Sequence, residues 1–149
     1  MRALCVLHTN PQFLGLFAAV SAAAAVLLLP PALLLSGPGF LDSYYYFHVG
    51  ANLASGRGFT EDIIWNYLSV PVGLNHPSNY YWQPLTSVVA ALFMVVLGEH
   101  FRSAQIPMVL LSAAIPGITA VLGFRLGGSF LKALAAAALA LFSWRYFPY

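Results

Sequence analysis

The feature that most constrains this chain is an uncharged run of 23 residues, Phe13 to Leu35. As a helix rising about 1.5 Å per residue it would extend roughly 34 Å, enough to cross a bilayer core of about 30 Å. A cleaved signal peptide is the competing reading, because Arg2 precedes the run and small residues are plentiful. The apolar core of such a peptide covers only roughly 7–15 residues, so the run reads as an uncleaved first span. Charge supports that reading, since only 7% of the residues are charged, against about 25% in ordinary soluble domains.

Three further apolar stretches follow. The pattern predicts an all-α membrane protein of about four transmembrane helices, near residues 13–35, 80–97, 104–124 and 130–147, behind a polar cytoplasmic lead at 1–12. Pro30-Pro31 is expected to kink or end the first helix, because proline lacks a donor and clashes with the preceding turn. Ser36-Gly37-Pro38-Gly39 then breaks it. The second span is entered through Tyr80-Tyr81-Trp82-Gln83-Pro84, with aromatics at headgroup level. In the third, Ser112, Ala113, Ala114, Gly117 and Ala120 would permit close helix contact.

Residues 36–79 form one long loop holding three of the four acids, Asp42, Glu61 and Asp62. Asp42 suits a helix N-cap, with the helix running from Ser43 to about Ser55 and Gly56 stopping it. Tyr44, Phe47, Ala51 and Ala54 share a face, which suggests a helix lying along the membrane surface. A second short interfacial element is expected to start at Glu61-Asp62-Ile63-Ile64-Trp65. Pro71 to Pro77 reads as turns without regular structure. With four spans and a cytoplasmic N-terminus, the inner segments hold Arg2, Arg102 and Arg145, and the outer ones Arg57, Arg125 and Lys132. That even split leaves orientation undecided by the positive-inside rule; the net acidic loop fits the outer face better.

The loop carries the candidate chemistry. Asp42 stands one residue past the apolar boundary, as a helix cap, a part-desolvated general base, or both. Arg57, between two glycines, fits either a phosphate or a lipid headgroup. Glu61 and Asp62 are solvated loop acids or a second carboxylate acting on substrate or metal. His48 reads as a packed or interfacial histidine. His76 with Tyr80, Tyr81 and Trp82 forms a docking rim for sugar or lipid, or a plain aromatic belt. The net charge of +2 is small and scattered, which gives no basis for nucleic-acid binding. The single Cys5 precludes an internal disulfide, and the dispersed histidines lack metal-ligand spacing.

Asp42-Ser43-Tyr44-Tyr45-Tyr46, then Ala51-Asn52-Leu53-Ala54-Ser55-Gly56-Arg57-Gly58, resembles the first outer loop of the GT-C membrane glycosyltransferases. The branch in question includes the protein mannosyltransferases and aminoarabinose transferases, where an acid and aromatics precede A-x-x-L-x-x-G-x-G. Tyr80-Tyr81-Trp82-Gln83-Pro84-Leu85 resembles that branch's aromatic-x-Pro-Leu entry to the second span. The resemblance covers about residues 13–145. It implies an inverting transfer from a polyprenyl-phosphate-linked sugar donor at the outer face of a bacterial inner membrane. It further implies that Asp42 assists the acceptor; Arg57, Glu61, Asp62, His76, Tyr81 and Trp82 are the substrate-contact candidates that the residues themselves offer. No protein-bound metal or other cofactor is assigned, and a divalent cation is the one addition left open. Ser43 stands where many members carry a second acid, which removes the partner for a paired-carboxylate role. Family enzymes are several times longer, so the chain is expected to be the N-terminal module of a larger enzyme, inactive alone. A non-catalytic membrane subunit or transporter fragment is the alternative.

Overall fold

A computed structural model describes residues 11–64 and 73–143. The order of elements is α1 (Pro11–Leu34), α2 (Leu41–Ala54), β1 (Thr60–Glu61), β2 (His76–Pro77), α3 (Leu85–Leu97), α4 (Phe101–Gly127) and α5 (Phe130–Leu141). The chain divides into two compact units, one of residues 1–31 with 109–149 and one of residues 32–108.

Two helices, α1 and α4, are long and apolar enough to cross a membrane, while α3 and α5 are apolar but shorter. Only 6% of the most apolar stretch of α1 and 28% of that of α4 are buried inside the protein. Most of both apolar stretches is thus left uncovered by the rest of the protein, unlike the core helix of a water-soluble fold, whose apolar face turns inward. The second expected span contracts, because Tyr80–Pro84 is turn and the helix begins only at Leu85. Its 13 residues reach about 20 Å, short of a bilayer core. The helix expected near 104–124 instead grows to 27 residues. His100 starts it, its Nδ1 accepting hydrogen bonds from the Ser103 hydroxyl at 2.6 Å and the Ser103 N–H at 3.2 Å. A histidine cap carries no propensity signal, since Ser, Thr, Asp and Asn dominate that position. The extension of the last span toward residue 147 lies outside the described residues.

Small residues pack the first unit. A Cβ on Gly117 would collide with the Ser21 side chain and stand 2.9 Å from the Phe17 carbonyl. Ala24 and Ala113 are buried together with Leu141, and Ala120 with Ala133 and Ala137. Contacts pairing Phe13 with Phe124, Phe17 with Gly117 and Ala24 with Ala113 make α1 and α4 antiparallel. Of the small residues expected at helix contacts, Ala113, Gly117 and Ala120 are buried.

Pro30-Pro31 does not end α1, which continues to Leu34, and the second unit begins at Ala32. Two side chains of α4 satisfy its last carbonyls. The Arg102 guanidinium donates to Ala32 O at 3.0 Å and Leu33 O at 2.8 Å, and the Gln105 amide donates to Ala32 O at 2.7 Å. These are the acceptors a helix end leaves without intrahelical partners. The short element expected from Glu61 is a strand at its start, β1, paired antiparallel with β2, and Trp65 lies outside the described residues. His76–Pro77, expected as turn, is that partner strand.

Candidate functional site

Every acid of the chain lies within residues 32–108, so the candidate site is built there from α2 outward. The most buried positions of α2 are Tyr45, Val49, Gly50 and Asn52. This shifts the core-facing stripe from the expected Tyr44, Phe47, Ala51 and Ala54. Phe47, Ala51 and Ala54 do pack, half-buried, on Ala90, Met94 and Ala104, whereas Tyr44 is exposed and stacks on His48 at 4.2 Å. At Gly50 an added Cβ would stand 3.1 Å from Ala90 Cβ and 3.2 Å from Ser87 O, so α3 approaches where α2 has no side chain.

The glycines after α2 have a backbone explanation. The Arg57 N–H donates to Asn52 O at 2.8 Å and the Gly56 N–H to Leu53 O at 3.2 Å, with Gly56 at φ 80°. This is the paired Schellman closure, which places a residue with positive φ just past the helix end. The same geometry aims Arg57 back at the helix. Its Nη2 donates to Asn52 Oδ1 at 2.6 Å, while Asn52 Nδ2 donates to Thr60 O at 2.9 Å. Asn52, only 1% exposed, thereby ties the end of α2 to β1.

A second anchor holds the distal part of the loop. The Asn79 N–H donates to the Tyr45 hydroxyl at 2.7 Å, Asn79 Nδ2 donates to Trp82 O at 3.1 Å, and the Ser78 hydroxyl donates to Asn79 Oδ1 at 2.7 Å. The Trp82 ring tilts on Tyr45 at 4.8 Å. Burial pushes the Tyr45 phenol above its ordinary range; the Asn79 N–H works against this and the Glu61 charge adds to it. Glu61, also buried, places Oε1 3.5 Å from His76 Nδ1. His76 Nε2 donates to Ile63 O at 3.0 Å, since a carbonyl can only accept.

These contacts sort the sequence candidates. Glu61, His76 and Trp82 are drawn inward and brace the connector. Asp42, Arg57, Asp62 and Tyr81 are exposed. Asp42 is not the N-cap; Phe40 is, without a side-chain cap bond, and Asp42 lies in the first turn of α2. The Tyr46 phenol, one turn on, is raised by burial and then by the Asp42 charge. Arg57 lies past the opposite end of the helix, with its guanidinium turned back onto Asn52. His48 has a lowered pKa, chiefly from burial; Asp62 opposes this and Arg57 reinforces it. Among the described residues, no three His, Cys, Asp or Glu side chains converge to hold a metal ion.

Sequence reasoning missed Tyr45, Asn52 and Asn79 as the polar framework. Tyr45 and Asn52 lie seven residues apart on one helix face, a spacing signal that could have revealed them. Asn79 at φ 66° had none, because its conformation comes from tertiary bonds. Comparison of the chain with family models, curated proteins and solved structures returns no match.

Proposed function

We propose that this chain is the N-terminal module of a membrane glycosyltransferase that uses a polyprenyl-phosphate-linked sugar at the outer face of a bacterial inner membrane. The observation that carries the reading is Asp42, an exposed carboxylate in the first turn of α2, directly beyond the break that ends the apolar α1. The order of motifs shared with GT-C enzymes supports it as a resemblance. In the reaction, Asp42 takes the proton of the acceptor hydroxyl as that oxygen attacks the anomeric carbon. The glycosyl–phosphate bond breaks with inversion, and the electron pair leaves on the lipid phosphate. Arg57, exposed beyond the end of α2, contacts a phosphate or a lipid headgroup. Tyr80 and Tyr81, 85% and 68% exposed, are displayed by the hydrogen-bonded Asn79–Trp82 turn and serve as stacking faces for sugar or lipid.

Taking α1 and α4 as the spans gives one orientation. The segment between them carries all four acids with Arg57, and Arg102 opens α4. In the sequence, Arg2 precedes α1, while Arg125 ends α4 and Lys132 and Arg145 follow it. The positive-inside rule then favours a cytoplasmic N-terminus and an outward Asp42. The test is sugar transfer from a polyprenyl-phosphate-linked donor by the native enzyme carrying this module. Asp42→Asn is expected to lower turnover by about 10²–10⁴, with substrate binding kept. Unchanged transfer would remove the base assignment.

A further inference from the structure

We propose that the cationic end of the first unit is a binding surface for anionic lipid headgroups. The surface consists of the last turn of α4 and the first turn of α5, beside the start of α1. It rests on the reading that α1 and α4 span a bilayer, and on no sugar chemistry. Arg125 and Lys132 are the only charged side chains among the described residues of that unit, and both are exposed. No acid accompanies them. The Arg125 guanidinium lies 4.5 Å from the centroid of the Phe13 ring, within cation–π range, and carries five N–H donors. Lys132 Nζ donates to Gly127 O at 3.2 Å, which uses one of its three donors.

Helix capping alone accounts for a cation at the end of α4, but not for what surrounds this pair. Leu126, Leu131 and Phe130 are 88%, 76% and 57% exposed. Cations with apolar shoulders match the level of a bilayer where phosphate meets hydrocarbon, with long side chains reaching outward. A water-soluble anion would leave those shoulders in water, so the chemistry favours a lipid phosphate over a free one.

The experiment is native mass spectrometry of the whole chain in neutral detergent, with phosphatidylglycerol and phosphatidylcholine as probes. The protein is expected to retain phosphatidylglycerol preferentially, and Arg125→Gln with Lys132→Gln is expected to weaken it by about fivefold per cation. The charge-conserving pair Arg125→Lys with Lys132→Arg should keep the preference, and added chloride should erode it in the unaltered protein. Circular dichroism of each variant establishes that helix content is retained. Equal retention of the two lipids, or an unchanged preference in the neutral pair, would overturn the proposal. So would displacement by inorganic phosphate beyond that by chloride of equal ionic strength. Carbonate extraction separates the two levels: release from membranes defeats the spanning reading, whereas retention without lipid preference defeats only this surface.

Discussion

The two units of this protein solve the packing problem with opposite materials. The first, built from the greater part of α1 with most of α4 and with α5, contains no acid among its described residues and packs through Gly117, Gly123, Ala120 and Ala133. The second contains every acid and is fixed by buried polar side chains, with Tyr45, Asn52 and Glu61 at most 6% exposed. The difference is the one expected for helices apolar enough to cross a membrane beside a polar connector. Where hydrocarbon surrounds a helix, burying another apolar side chain gains little, and close approach of small residues is what holds helices together. An irregular connector must instead satisfy its backbone groups one by one, and Asn52, Asn79 and His76 do so for Thr60, Trp82 and Ile63.

The sharpest way to break this contrast is to remove the largest buried side chain of the connector. Tyr45→Ala deletes the ring that Trp82 covers and the acceptor of the Asn79 N–H, and it is expected to cost about 3–5 kcal/mol. Hydrogen exchange read by mass spectrometry should show lost protection in peptides from 41–64 and 73–97. Peptides from 109–141 should keep theirs; equal loss in both would mean the two units are one cooperative body. The converse substitution is Gly117→Val, which forces a branched side chain against Ser21 and the Phe17 backbone. It is expected to cost about 1–3 kcal/mol, with the protection pattern reversed.

A smaller effect is pH-dependent and confined to the connector. Because the folded state holds the His48 pKa below its ordinary value of about 6.5, mainly through burial, folding opposes protonation there. Its contribution is present above that ordinary value and is lost as pH falls through the lower folded one. Thermal midpoints followed from pH 7.5 downward should therefore decline more steeply for the native chain than for His48→Gln. Parallel curves would place no titrating burden on His48.

Much of the architecture was legible because apolar runs and breakers act locally. The 23-residue run became α1 almost as drawn, and Gly56 stops α2 within a residue of where helix-ending rules put it. What local rules could not supply was the partner of each group. Residues 80–97 are apolar enough to suggest a span, yet Asn79 and Trp82 tie Tyr80–Pro84 into a turn and leave α3 short. The Asp42 cap was a sound inference from propensity, but the helix gains a residue before it at Leu41 and leaves Asp42 inside the first turn. The balanced cation count depended on four spans. On the proposal that only α1 and α4 cross, Arg125 and Lys132 join the side of Arg2 and Arg102 joins that of Arg57, and the even count gives way to an asymmetry.

That asymmetry makes the side of the membrane on which the acidic connector lies the most direct test. Gln83 is exposed between β2 and α3, and Cys5 is the only native cysteine. In intact cells stripped of their outer layers, a membrane-impermeant maleimide should label Gln83→Cys in a Cys5→Ser background. It should spare Cys5 in the native chain until the membrane is opened. Labelling of Cys5 from outside, with Gln83→Cys protected, would contradict the outward-facing site and the glycosyl-transfer reading with it.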